Sequence, residues 1–166
     1  MVFIIKSLLV GNIYEAQAPP PFVNAVLWAA LEPHIIPPSG IAFGQIPLQE
    51  YIEADPIDLE TGVDCIDRHL PTHRVLVCCR AGMGRSVSLV TAYLCCVKGM
   101  LYQEAIHFIR SRCPGATPLP NLENTIAAVQ EMRHDPPKPA KLELRETKGT
   151  MQIEKCKMTG KSPIPQ

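Results

Sequence analysis

Residues 1–134 predict an α/β fold in three layers, with a central, mostly parallel, twisted sheet flanked by helices. Three observations carry that prediction. Short β-branched apolar runs alternate with longer segments at helical spacing, the order that builds parallel sheets. Residues 74–79 (RVLVCC) are too few for a helix and apolar on both faces, as a buried parallel strand is. Residues 86–97 (SVSLVTAYLCCV) are helical in length yet nearly apolar all round, which places them in the core.

In the opening run MVFIIKSLLVG the only charge, Lys6, sits mid-run rather than ahead of it, and no small-residue cleavage pattern comes cleanly after it. It reads as one or two buried strands. Residues 58–70 form an amphipathic helix, with Val63, Ile66 and Leu70 at helical spacing. The strand 74–79 leads through a glycine-containing loop into the apolar helix 86–97, which Gly99 can close. Residues 102–112 resume a helix with apolar positions at 105, 106, 108 and 109, until Pro114 and Gly115 stop it. Asn121 caps a last helix running through Met132. Composition changes at 135 with the sequence DPPKP, so a domain boundary falls near 134. The 135–166 tail carries seven basic against four acidic side chains. Within it, residues 141–145 (KLELR) alternate as a short strand or hairpin would.

Composition narrows the function. The 166 residues carry 16 Lys plus Arg and 16 Asp plus Glu, so a globally basic nucleic-acid binder is excluded as the default and no nucleic-acid partner is expected. With 46% hydrophobic and 19% charged residues the chain is that of a folded domain. Its 17 prolines, about twice average usage, predict stiff connections and abrupt helix ends. No apolar run approaches the roughly 20 residues that cross a bilayer. Seven cysteines without CxxC pairing fit reduced thiols in a cytoplasmic protein, not a zinc ribbon or disulfide framework. The five histidines show no metal-ligand spacing, and no cofactor is implied.

The loop between the central strand and the apolar helix reads Cys79-Arg80-Ala81-Gly82-Met83-Gly84-Arg85-Ser86. Five residues with two glycines let the backbone curl until successive N–H groups point at one centre, a nest for a tetrahedral anion at a helix N-terminus. Arg85 can grip two oxygens of the same anion as a planar fork. That positive surrounding lowers a thiol from about 8.5 to between about 3.5 and 7.5, so Cys79 becomes a thiolate nucleophile beneath a bound phosphoryl group. Nucleotide-binding loops fail on residues: no Lys precedes Ser86, and Val87 stands where a dinucleotide fingerprint needs its third glycine.

The strand, the CRAGMGRS loop, the helix containing TAYL and the stretch EAIHFIRSRCPGATPLPN closely resemble the cysteine-dependent protein tyrosine phosphatase superfamily, in particular the small, atypical dual-specificity phosphatases. Upstream, LLVGN, VNAVLWAALE, IPLQEYIEAD and GVDCIDRHL fall in that family's order, so the resemblance covers roughly residues 4–133. It implies a dual-specificity phosphatase-like fold and a phosphocysteine mechanism needing no metal. Cys79 attacks phosphorus. Arg85 and the N–H groups of Arg80, Ala81, Gly82, Met83, Gly84 and Arg85 hold the equatorial oxygens, and Ser86 stabilises the leaving thiolate. A carboxyl group on an upstream loop protonates the leaving group. The family's usual Asp position falls on Glu50, with Asp55 as second candidate, while Asn121 matches a position that braces the loop.

The chain departs from the family pattern twice, at Glu50 and at Cys78. Cys78 replaces a His that supports the nucleophile, so a less tuned thiol with a higher pKa is expected. Read by itself, Cys78 is a small core residue on the opposite strand face. The implied substrate is a protein bearing phosphotyrosine, and phosphoserine or phosphothreonine as well. The alternatives are a catalytically weak phosphate-binding module, favoured by Glu50 and Cys78, and a phosphatase for a non-protein ester. Oligomeric state is left open.

Overall fold

The apolar opening run folds as two strands, β1 (Val2–Ile5) and β2 (Leu8–Gly11), paired antiparallel across a turn at Lys6-Ser7. The structure is a computed structural model and describes residues 1–32, 35–36 and 38–134. The boundary near 134, the tail and its KLELR stretch lie outside the described residues.

Helix α1 (Ile13–Gln17) begins at once, because Asn12 caps it. The Asn12 side chain accepts from the Tyr14 and Glu15 N–H groups, and the Glu15 carboxylate accepts from the Asn12 N–H. Strands β3 (Ala25–Ala29) and β4 (Ala42–Ile46) come next, then helix α2 (Pro56–His69). They lead into strand β5 (Val75–Cys78) and helices α3 (Arg85–Cys96), α4 (Tyr102–Arg110) and α5 (Leu122–His134). The predicted helices at 58–70, 86–97, 102–112 and 121–132 are all present, with no end displaced by more than two residues.

The five strands are ordered β1-β2-β5-β3-β4, and every pairing except β1 with β2 is parallel. Alternation along the strands divides the core. Leu8, Val10, Ala25, Leu27, Val75 and Val77 face the helices α2 to α5, with α3 nearest the sheet. Leu9, Val26, Trp28, Leu76 and Cys78 face α1 and the segments around Val23 and Ile35. The architecture is therefore the predicted α/β sheet between helices, with a thin layer on the α1 side. α2 packs tightly on α3 at Gly62, where a β-carbon would lie 2.5 Å from Leu89 Cδ1.

This topology fixes where chemistry can happen. β5 is the middle strand, so the loop leaving its carboxyl end opens between the ends of β2 and β3, the usual ligand crevice of parallel sheets.

Candidate active site

The loop from Cys79 to Gly84 is fastened on both sides. Toward β2, the Cys79 N–H donates to the Gly11 carbonyl at 3.4 Å and the Ile13 N–H to the Arg80 carbonyl at 3.3 Å. Toward the 116–120 segment, the Thr117 N–H donates to the Met83 carbonyl at 2.9 Å. Ser88 bridges the two regions: its hydroxyl donates to the Gly84 carbonyl at 3.0 Å and accepts from the Leu119 N–H at 2.8 Å. Gly82 has φ +76°, and a β-carbon there would sit 2.8 Å from the Gly11 carbonyl oxygen, so no other residue fits.

Within this frame Cys79 is buried at the loop floor. Its Sγ lies 3.3 Å from Ser86 Oγ and accepts from the Gly82 N–H at 3.3 Å. Burial is the largest single influence on this thiol and opposes ionisation. The Ser86 hydroxyl and the N–H groups of Ser86, Gly82 and Gly84 together outweigh it and hold the pKa below the ordinary cysteine value. The donors that lower it belong to the loop and the first turn of α3, not to Cys78. Gly84, the N-cap of α3, contributes no side-chain cap, which leaves the helix N-terminus open to an anion. Cys78 packs in the second core cluster. There burial, the Glu15 carboxylate and Cys79 push its thiol far up, in keeping with an inert core residue.

Arg85 is buried, with 1% of its surface exposed, and meets two acidic side chains. Its Nη1 donates to Glu32 Oε2, and to the Leu48 carbonyl at 3.5 Å. Its Nη2 lies 3.6 Å from Glu50 Oε2 and has no hydrogen-bond partner among the described residues. Burial is the largest influence on Glu32 and opposes its charge. Its backbone hydrogen bond, the Arg85 guanidinium and the more distant Arg80 together hold its carboxyl below the usual range.

A cavity of about 260 Å3 stands over the loop, lined by Glu50, Tyr51, Met83, Arg85, Thr117 and Leu119 among others. Glu50 therefore faces the same space as Arg85. Asp55 does not line it; its carboxylate caps α2, accepting from the Ile57 N–H at 2.8 Å. Asn121 reaches the carboxyl-bearing loop rather than the anion loop. Its side chain donates to Glu53 Oε1 at 2.8 Å and accepts from Asn124. The brace expected from Asn121 is supplied by Thr117 and Ser88. Glu32 was not read from the sequence, for it comes after an apolar strand in an unremarkable position and meets Arg85 only through the fold. No group of acidic, His and Cys residues suited to a metal ion occurs among the described residues.

A mostly parallel sheet that presents a hydrogen-bonded cysteine thiol and a buried arginine at one helix N-terminus defines the class of cysteine-dependent phosphatases. The family "dual specificity phosphatase, catalytic domain" matches residues 23–132, and the chain belongs to that family. A search of curated proteins finds no match. Among solved structures, human DUSP28 is similar at 23% identity with TM-score 0.70, over 81% of this chain and 98% of that one. DUSP15 is similar at 21% identity with TM-score 0.66, over 80% and 91%. PTPMT1, solved in complex with PI(5)P, is similar at 17% identity with TM-score 0.64, over 77% and 92%. At these identities the likeness is one of fold.

Proposed function

We propose that the protein hydrolyses phosphotyrosine, and phosphoserine or phosphothreonine, on protein substrates through a phosphocysteine, with residues 1–134 as the catalytic unit. The observation that carries this reading is the geometry around Cys79, whose Sγ meets the Ser86 hydroxyl and the Gly82 N–H at the helix N-terminus that also delivers Arg85.

In the first step the Cys79 thiolate attacks phosphorus while Arg85 and the N–H groups of residues 80–85 hold the equatorial oxygens. The leaving alkoxide or phenoxide takes a proton from Glu50, which shares the cavity with Arg85. In the second step water attacks the phosphocysteine, Glu50 takes its proton, and the Ser86 hydroxyl donates to the departing thiolate. A protein substrate is preferred over an inositol lipid because the cavity lining is poor in cations. Among the described residues Arg85 is the one basic residue that lines it and is already faced by Glu32 and Glu50, so no further lining cation is offered to a polyanionic headgroup.

The test is hydrolysis of p-nitrophenyl phosphate in reductant and EDTA, comparing wild type with Cys79→Ser. Turnover in the wild type alone, sensitive to vanadate, is the expected result. Turnover undiminished in Cys79→Ser removes the thiol from the mechanism. Absence of turnover in both, with vanadate still bound, makes the domain a phosphate reader.

A further inference from the structure

Residues 1–134 hold nine lysines and arginines against twelve acidic side chains, so a stretch of surface where cations outnumber acids runs against the composition. One such stretch lies at the end of the sheet opposite Cys79. Ser7, Asn24 and Arg74 immediately precede the parallel strands β2, β3 and β5, and all three line a cleft of about 290 Å3. A second cleft, of about 350 Å3, is lined by Lys6, Asp67, Tyr93 and Lys98 among others. Ser7, Leu70 and Pro71 line both, so the two join into one groove between the β1–β2 turn and the end of α2.

The cations of this groove are held without being neutralised. The Arg74 guanidinium carbon lies 5.8 Å from the centre of the Phe22 ring, and Lys98 Nζ lies 5.5 Å from that of Tyr93. The Arg74 backbone is fixed as well: its N–H donates to Asn24 Oδ1 at 2.7 Å, and its carbonyl accepts from the Ala25 N–H at 3.3 Å. Among the described residues none of Lys6, Arg74 and Lys98 is in an ion pair, whereas Arg85 and Arg133 each meet two carboxylates. Three of the nine cations line the groove against one of the twelve acids, Asp67. Aromatic faces orient a cation and leave its charge in place, so the potential inside the concavity is positive.

We propose that this groove is a docking site for an acidic segment of a partner protein, whose carboxylates meet Lys6, Arg74 and Lys98 while its apolar side chains rest on Phe22 and Leu70. Charge complementarity selects the occupant. The groove is concave and offers the polar side chains of Ser7, Asn24 and Thr72, which an extended chain can enter and hydrogen-bond and a flat lipid surface cannot. Arg74 stands at the amino end of β5 and Cys79 at its carboxyl end, so a docked partner leaves the catalytic cavity free. Nothing in the docking uses Cys79, and the proposal stands or falls apart from the phosphatase reading.

The test is fluorescence anisotropy of a fluorescein-labelled Glu-Leu repeat peptide titrated with the full chain at low and at physiological ionic strength. Wild type is expected to bind it, more weakly as salt rises. Lys6→Glu, Arg74→Glu and Lys98→Glu combined weaken binding by about tenfold or more. Arg112→Glu, which reverses an exposed cation outside the groove, leaves it unchanged, and vanadate does not displace the peptide. Should the triple variant unfold at a lower temperature, Lys6→Ala and Lys98→Ala, each truncating an exposed side chain, decide in its place, and both weaken binding. Failure of wild type to bind overturns the proposal, as does full binding by the substituted chains, an equal loss in Arg112→Glu, or displacement by vanadate. A single-stranded oligonucleotide or a phosphatidylserine vesicle that binds as tightly through the same three residues makes the groove a general anion surface, and overturns it too.

Discussion

At the scale of single residues, the chemistry turns on what lowers the pKa of a buried thiol. Burial weighs most on the Cys79 thiol and opposes its ionisation, and Ser86 makes the largest contribution in favour of the thiolate, so Ser86→Ala is expected to raise the thiol pKa. The midpoint of iodoacetamide inactivation against pH, and the acid limb of kcat/KM, both move to higher pH. A folded-state pKa below the unfolded value adds stability that is complete above the unfolded pKa and is lost as pH falls through the folded one. Ser86→Ala narrows that pH-dependent window. The two acidic candidates separate by position. Glu50→Gln slows esters with poor leaving groups far more than p-nitrophenyl phosphate, whose leaving group hardly needs a proton. Asp55→Ala instead removes a helix cap, costing about 1 kcal/mol in denaturant unfolding with esters of both kinds affected alike. If Asp55→Asn shows the leaving-group pattern and Glu50→Gln does not, the acid assignment is wrong.

At the scale of elements, the loop's shape is a property of what surrounds it. Ser88, one turn into α3, holds the Gly84 carbonyl and the Leu119 N–H together in a buried position. Ser88→Ala orphans a buried donor and is expected to cost about 1–3 kcal/mol on unfolding, with turnover reduced because Gly84 is no longer fixed. Much of this scale was legible in the sequence. Apolar spacing marks α2 and α4, and runs apolar on every face mark β5 and α3. The loop from Cys79 to Ser86 is legible because its chemistry is local to eight consecutive residues. What escaped was built by return contacts. β3 and β4 gain their identity by pairing, β3 with β5 and β4 with β3. Asn121 turned toward Glu53, and Glu32 and Leu48 met Arg85 from segments whose proximity no local pattern records.

For the whole molecule, the central question is which part of the chain suffices. A chain ending at His134 is expected to match the full chain in unfolding temperature and in kcat/KM for p-nitrophenyl phosphate. A tenfold loss would show that the 135–166 segment belongs to the catalytic unit. None of the helices among the described residues is long and apolar enough to cross a membrane.

The pairing of Ser88 with Leu119, far along the chain, bears on how the protein is made. During synthesis β1 to β4 leave the ribosome before the strand that must enter between β2 and β3, and non-local pairings of this kind close slowly. The thiol-bearing loop emerges next, still without the Thr117 and Leu119 N–H groups that help to fix it. Until those residues appear the donors around Cys79 are unaligned, and the sulfur keeps the sluggish reactivity of an ordinary thiol. The nascent chain therefore carries a muted cysteine that acquires its nucleophilic character late, when the fold around it is nearly complete.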